Sequence, residues 1–152
     1  MDSRPLPEDF KEFIASLNSN KVVYLLVGGW AVGFYGNPRA TKDIDFLVAM
    51  DEANLEKLKK ALIEFGAPMI DINRFKKKDS VFRMGRSPIQ IDIITKASGI
   101  DIKECYIRKN IITIDGMDIS VISKEDLLKN KRVSGRHRDL ADVESLEGDK
   151  EE

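Results

Sequence analysis

The chain has 152 residues, 42% hydrophobic and 34% charged, and its acidic and basic residues nearly cancel to a formal net charge of -1. That length holds one sizeable core but not two ordinary domains, and the near-neutral balance excludes a global field drawing the chain to nucleic acid or membrane; any polyanion site is local. Cys105 is the only cysteine, which excludes an internal disulfide and fits a small buried hydrophobe in a reducing cytosol.

Met-Asp-Ser-Arg-Pro does not open a secretory signal, and no apolar run reaches membrane-spanning length, so a soluble cytoplasmic protein is expected. Phe10, Phe13, Ile14 and Leu17 recur at helical spacing after Pro7, and Asn18-Ser19-Asn20 breaks the pattern, which predicts a first amphipathic helix. The short apolar run Val22 to Val27 reads as a buried strand. Gly28-Gly29 ends it, and Trp30 to Tyr35 reads as a short helix leading to a turn at Gly36-Asn37-Pro38.

Asp43 to Val48 alternates, with Asp43, Asp45 and Leu47 on one face of a second strand. Asp51 caps a helix whose core stripe is Leu55, Leu58, Leu62 and Phe65, closed by Gly66. Ala67 to Asp79 carries Arg74, Lys76, Lys77 and Lys78 and reads as a mobile, solvated basic loop. Ser80 to Gly85 and Ile89 to Ile94 form a hairpin about Arg86-Ser87-Pro88, with Gln90 and Asp92 facing away from Ile89, Ile91 and Ile93.

A short helix follows near Ile102 to Arg108. Ile111 to Ile114 and Met117 to Val121 flank Asp115-Gly116, a strong signal for a second hairpin. Ser123 and Asp126 resemble a capping box that starts a helix through Leu127, Leu128 and Lys131 to a break at Ser134-Gly135. A last helix carries Leu140, Val143 and Leu146, and the acidic tail Gly148 to Glu152 is expected to fray. Residues 1–152 are thus expected to form one α+β domain, a mixed β-sheet flanked by helices, with C-terminal helices over about 123–147.

Asp43 and Asp45, two residues apart on a strand, have Cα atoms roughly 6–7 Å apart and carboxylates able to converge. Like charges so crowded need a compensating cation, and oxygen ligands suit Mg²⁺ or Mn²⁺. The spacing alone says little, since 15 aspartates supply about one such pair by chance. Gly28-Gly29 sits at a strand-to-helix turn where backbone N–H groups can approach a phosphate; a tight turn with nothing bound is the commoner use of a glycine pair. Arg39, Thr41 and Lys42 add cationic and hydroxyl groups just before the carboxylates, or are simply surface residues. Two metal ions clamping a phosphoryl group call for a third carboxylate, and Asp92, alone in a strongly apolar strand, is the best candidate.

Gly28-Gly29-Trp30-Ala31-Val32, then Arg39, Thr41, Asp43-Ile44-Asp45 and the later Asp92, resemble the DNA polymerase beta superfamily of nucleotidyltransferases. Asp126-Leu127-Leu128, Lys131, Gly135-Arg136 and Asp139-Leu140-x-Asp142 are similar to the pattern of the small bacterial toxin-associated branch. The likeness runs from about Val23 to Leu146, and Gly-Gly stands where Gly-Ser is commoner, leaving backbone donors for the phosphate.

The resemblance implies a nucleotidyltransferase-like fold, a nucleoside triphosphate substrate, and two Mg²⁺ or Mn²⁺ ions at Asp43, Asp45 and Asp92. It further implies triphosphate at Gly28-Gly29 and a hydroxyl acceptor on RNA or protein. Lys131 and Arg136 would contact phosphate or base, or else form a solvated basic helix with Asp139 and Asp142 as intrahelical partners. His137, between Arg136 and Arg138, reads as a surface group. Two alternatives stand beside this: transfer to an antibiotic such as an aminoglycoside or lincosamide, and a non-catalytic nucleotide-binding member of a toxin–antitoxin pair. A partner protein or a homodimer is compatible with each.

Overall fold

The computed structural model describes residues 6–36, 43–67, 71–76, 81–86 and 89–148. Its elements run α1 (Glu8–Ser19), β1 (Tyr24–Val27), α2 (Gly28–Phe34), β2 (Asp43–Val48), α3 (Glu52–Phe65), a short 3₁₀ helix (Ile72–Lys76), β3 (Val81–Arg86), β4 (Ile89–Ile94), α4 (Ile102–Ile107), β5 (Asn110–Ile114), β6 (Met117–Val121), α5 (Lys124–Ser134) and α6 (His137–Gly148). The described strands form one six-stranded sheet in the order β3-β4-β2-β1-β6-β5. β2 runs parallel to β4 and β1 parallel to β6, and the other neighbours are antiparallel. This is the expected mixed sheet flanked by helices.

The core gathers where the apolar stripes of α1 and α3 meet the central strands. Phe10, Phe13, Ile14 and Leu17 are buried, and Phe13 stacks edge-on against Phe46 (5.3 Å between ring centroids) and Phe65 (5.2 Å). Such aromatic pairs add to the area they bury because a ring edge meets a ring face. β1 begins at Tyr24, two residues later than its apolar run suggests. The backbone of Val23 is engaged by a side chain: its N–H donates to Asn54 Oδ1 (2.7 Å), and Asn54 Nδ2 donates to its carbonyl (3.1 Å). Asn54, itself buried, thereby staples α3 to the start of the central strand.

The punctuation acts as expected. Asp51 accepts from the Asn54 N–H at the start of α3, Gly66 ends it in the left-handed region, and Ser123 accepts from the Asp126 N–H to start α5. Asp115 and Gly116 both adopt positive φ (52° and 77°), the pair of conformations a two-residue hairpin turn demands. Cys105 is buried.

Three expectations change. Within the supposed solvated basic loop, the described residues Ile72–Lys76 are helical and Phe75 is wholly buried, packed edge-on against Phe82; one aromatic anchors what the surrounding charge suggested was free. β3 continues to Arg86, which pairs with Ile89, so the expected three-residue turn is shorter. In α6, Leu140 is 48% exposed and the buried face runs instead through Asp139, Asp142, Val143 and Leu146, because a buried lysine of α5 fills that seam. Asn37, Pro38, Lys77, Lys78, Ser87, Pro88 and the acidic tail beyond Gly148 lie outside the described residues.

Candidate active site

Strand register brings the carboxylates together. β2 and β4 are parallel with Asp43 opposite Gln90 and Asp45 opposite Asp92, so Asp45 and Asp92 are direct neighbours across two strands. β4 is buried over Ile91, Asp92 and Ile93, and only 5% of Asp92 is exposed. Burial pushes the Asp45 carboxyl up to about 6, with Asp92 and Asp43 reinforcing the shift by repulsion and Lys131 opposing it.

Gly28 makes this crowding possible. It adopts φ +72°, and a Cβ there would collide with the Asp45 carboxylate, standing 3.2 Å from its Cγ. Gly28 is thus needed for its backbone conformation and for the space it leaves. α2 begins at this residue without a side-chain cap, so its first N–H groups are left for other acceptors. Gly28 and Gly29 line the same cleft as Asp43 and Asp45, about 500 Å³ in volume.

The far wall comes from α5 and α6. Lys131 is buried on α5, and its Nζ reaches Asp139 Oδ1 (3.2 Å) and Asp142 Oδ2 (3.3 Å) on α6. For Lys131 the expected solvated helix with intrahelical partners is replaced by a buried bridge between two helices, whereas Arg136 is solvated and pairs with Asp139 three residues on. Asp139 also accepts from Ser134 Oγ (2.7 Å) and Arg136 Nε (2.7 Å). Burial opposes its ionisation, but these hydrogen bonds outweigh that and hold it well below the usual carboxylate range. Arg136 is exposed at the mouth and lines the cleft with Lys131. His137 is exposed as expected.

Sequence reading missed several residues. Arg83 on β3 lies opposite Asp92, donating from Nε to Oδ1 (2.8 Å) and from Nη2 to Oδ2 (3.1 Å), and its Nη2 stands 3.9 Å from Asp43 Oδ2. A three-residue turn at 86–88 would have set Phe82 opposite Asp92; the shorter turn brings Arg83 there. Lys96, Ser98 and Asn130 also line the cleft, and Asn130 Nδ2 donates to the Ser98 carbonyl (2.9 Å), tying the segment after β4 to α5. Nothing in a single loop sequence marks such residues. Arg39, Thr41 and Lys42 lie outside the described residues.

Among the described residues, no three acidic, histidine or cysteine side chains are gathered as a ready-made metal cage. Both Asp92 oxygens accept from Arg83. No helix among the described residues is long and apolar enough to cross a membrane.

The fold recurs in solved structures. A protein from Thermotoga maritima assigned as a nucleotidyltransferase aligns over 93% of this chain and 88% of its own (TM-score 0.57, 19% identity). The lincosamide antibiotic adenylyltransferase LnuA, solved with lincomycin, aligns over 95% and 98% (TM-score 0.55, 19% identity). The antibiotic-resistance factor ANT(2'')-Ia aligns over 91% and 80% (TM-score 0.56, 13% identity). At these identities they establish the fold. Comparison with curated protein sequences gives no match. The family model described as nucleotidyl transferase AbiEii toxin, type IV toxin–antitoxin system, matches residues 13–148, a span that takes in every described strand, Gly28 and Gly29, Asp43, Asp45 and Asp92, and the Lys131 bridge. The chain therefore belongs to the AbiEii family of toxin-associated nucleotidyltransferases.

Proposed function

We propose that this nucleotidyltransferase uses divalent metal, Mg²⁺ or Mn²⁺, to move a nucleoside monophosphate from a nucleoside triphosphate to a hydroxyl on RNA or protein. One observation carries the reading: Asp45 and Asp92 sit side by side in register on β2 and β4, and Asp45 lines a cleft with Asp43, Gly28-Gly29 and Lys131. The donor set is all oxygen, which suits a hard divalent cation. Asp43, Asp45 and Asp92 would hold two such ions, which would polarise the α-phosphoryl group and stabilise its developing charge.

The chain's own groups divide the remaining work. The acceptor oxygen attacks the α-phosphorus, the bond from that phosphorus to the pyrophosphate oxygen breaks, and pyrophosphate leaves with the electron pair. Asp92, held by Arg83, would take the acceptor proton. Backbone N–H groups at Gly28 and Gly29 would seat the triphosphate, with Lys131 and Arg136 drawing the departing charge. Arg39, Thr41 and Lys42 complete the proposed nucleotide contacts. We take residues 1–152 as a single domain working in the cytoplasm and paired with an antitoxin; the family match over residues 13–148 and the continuous sheet support the single domain, and the toxin–antitoxin description supports the partner.

LnuA and ANT(2'')-Ia share the fold, and transfer to an antibiotic is the second reading. The test is incubation with each of four labelled nucleoside triphosphates, Mg²⁺, and transfer RNAs or host extract. Label should enter a macromolecule with the wild-type protein and not with Asp43→Asn plus Asp45→Asn. Label in neither, with metal-independent nucleotide binding retained in both, would leave a binding module instead.

A further inference from the structure

We propose that Arg83 is a positioning residue for the third carboxylate: from the edge strand it fixes Asp92 in the orientation in which that side chain receives a divalent cation. The inference rests on the metal-dependent reading above. Arg83, Asp92 and Asp45 are directly opposite one another on three adjacent strands, β3, β4 and β2. The guanidinium approaches Asp92 from the β3 side, while Asp45 lies on the other.

An ionised carboxylate accepts at about four lone-pair sites, and the Arg83 fork uses one on each oxygen. Each oxygen keeps a second lone-pair site, so arginine and metal are compatible on the same carboxylate. The partners are unequal. The Asp92 side chain is 7% exposed and that of Arg83 is 55% exposed, so a buried anion is oriented by one half-solvated cation. The same Nη2 lies 3.9 Å from Asp43 Oδ2, which extends its field to a second metal-binding oxygen. A planar fork fixes the plane of a carboxylate, which a lysine ammonium cannot do. Hydrogen-bond partners that orient metal ligands typically change metal affinity by about 10–100-fold when removed.

Mn²⁺ binding, read by the loss of the free-ion paramagnetic resonance signal, tests this with Mn²⁺ alone and with α,β-methylene analogues of the four nucleoside triphosphates. Arg83→Gln should weaken Mn²⁺ binding by about tenfold or more, and Arg83→Lys should fall between it and wild type. In an Asp92→Asn background, Arg83→Gln should bring no further loss, which separates orientation of Asp92 from a general structural effect. If Arg83→Gln does not fold, Arg83→Lys carries the comparison with wild type. Unchanged or tighter Mn²⁺ binding in the arginine variants overturns the proposal and makes Arg83 a bystander or a competitor of the metal. Wild-type protein that binds no Mn²⁺, or binds it equally after Asp43→Asn plus Asp45→Asn, overturns the metal reading and this inference with it.

Discussion

Two clusters of buried charge face each other across the cleft, and they are balanced in opposite ways. On the helical side, Lys131 lies between Asp139 and Asp142, and Arg136 and Ser134 complete the shell of Asp139, whose carboxyl is held well below its ordinary range. On the sheet side, Asp45 stands against Asp92 and near Asp43 with its carboxyl raised to about 6. A buried charge that only holds the fold together is surrounded by its complements. A carboxyl that burial and like charges hold back from ionising differs from one that cations hold ionised, and on the reading proposed above the sheet-side carboxylates are the reactive wall.

The sharpest way to break the comparison is to remove the balance on the helical side. Lys131→Met leaves Asp142 without its lysine in a buried seam and should lower stability by about 3 kcal/mol, the low end for a broken buried pair because Arg136 and Ser134 still bind Asp139. Urea denaturation measures it; a variant as stable as wild type would mean that the bridge is not structural.

The sheet side should respond with the opposite sign. Burial pushes the Asp45 carboxyl up from its ordinary 3.8 to about 6, so the folded state retains a proton that the unfolded chain gives up. Stability is therefore lost as pH rises from about 4 to 6, by on the order of 2 kcal/mol. Asp45→Asn, which cannot ionise, should be more stable than wild type in metal-free buffer at pH 8 and equal to it at pH 4, as thermal unfolding across that range would reveal.

A smaller effect separates space from backbone conformation. Gly28→Ala and Gly116→Ala both place alanine at positive φ, which costs about 1–2 kcal/mol, but only the first sets a Cβ against Asp45, whereas Gly116 has open space around it. Gly28→Ala should destabilise clearly more than Gly116→Ala and also disturb transfer. Smallest of all, Leu140→Ser on the exposed side of α6 should change stability by less than about 0.5 kcal/mol.

Much of this was legible in the chain. Apolar periodicity and turn residues gave the order of elements, and the aspartate spacing with a lone Asp92 in an apolar strand gave the carboxylates. What escaped depends on distance in sequence. Arg83 was hidden by one residue of turn length, because a hairpin shifted by one pairs a different residue with Asp92. The burial of Lys131 was hidden because its partners lie on the next helix, and helical spacing within one element does not register them. Phe75 was hidden by its cationic neighbours, although its wholly buried ring is what holds that segment to the sheet.

The most direct measurement concerns Asp92 alone. Nucleotide binding by calorimetry and label transfer to a macromolecular acceptor should be followed side by side in wild type and Asp92→Asn. The account predicts that the variant still binds nucleoside triphosphate within a few-fold of wild type but transfers about a thousandfold more slowly, since the group that accepts the proton and helps hold metal is gone. Transfer at the wild-type rate in Asp92→Asn would contradict it.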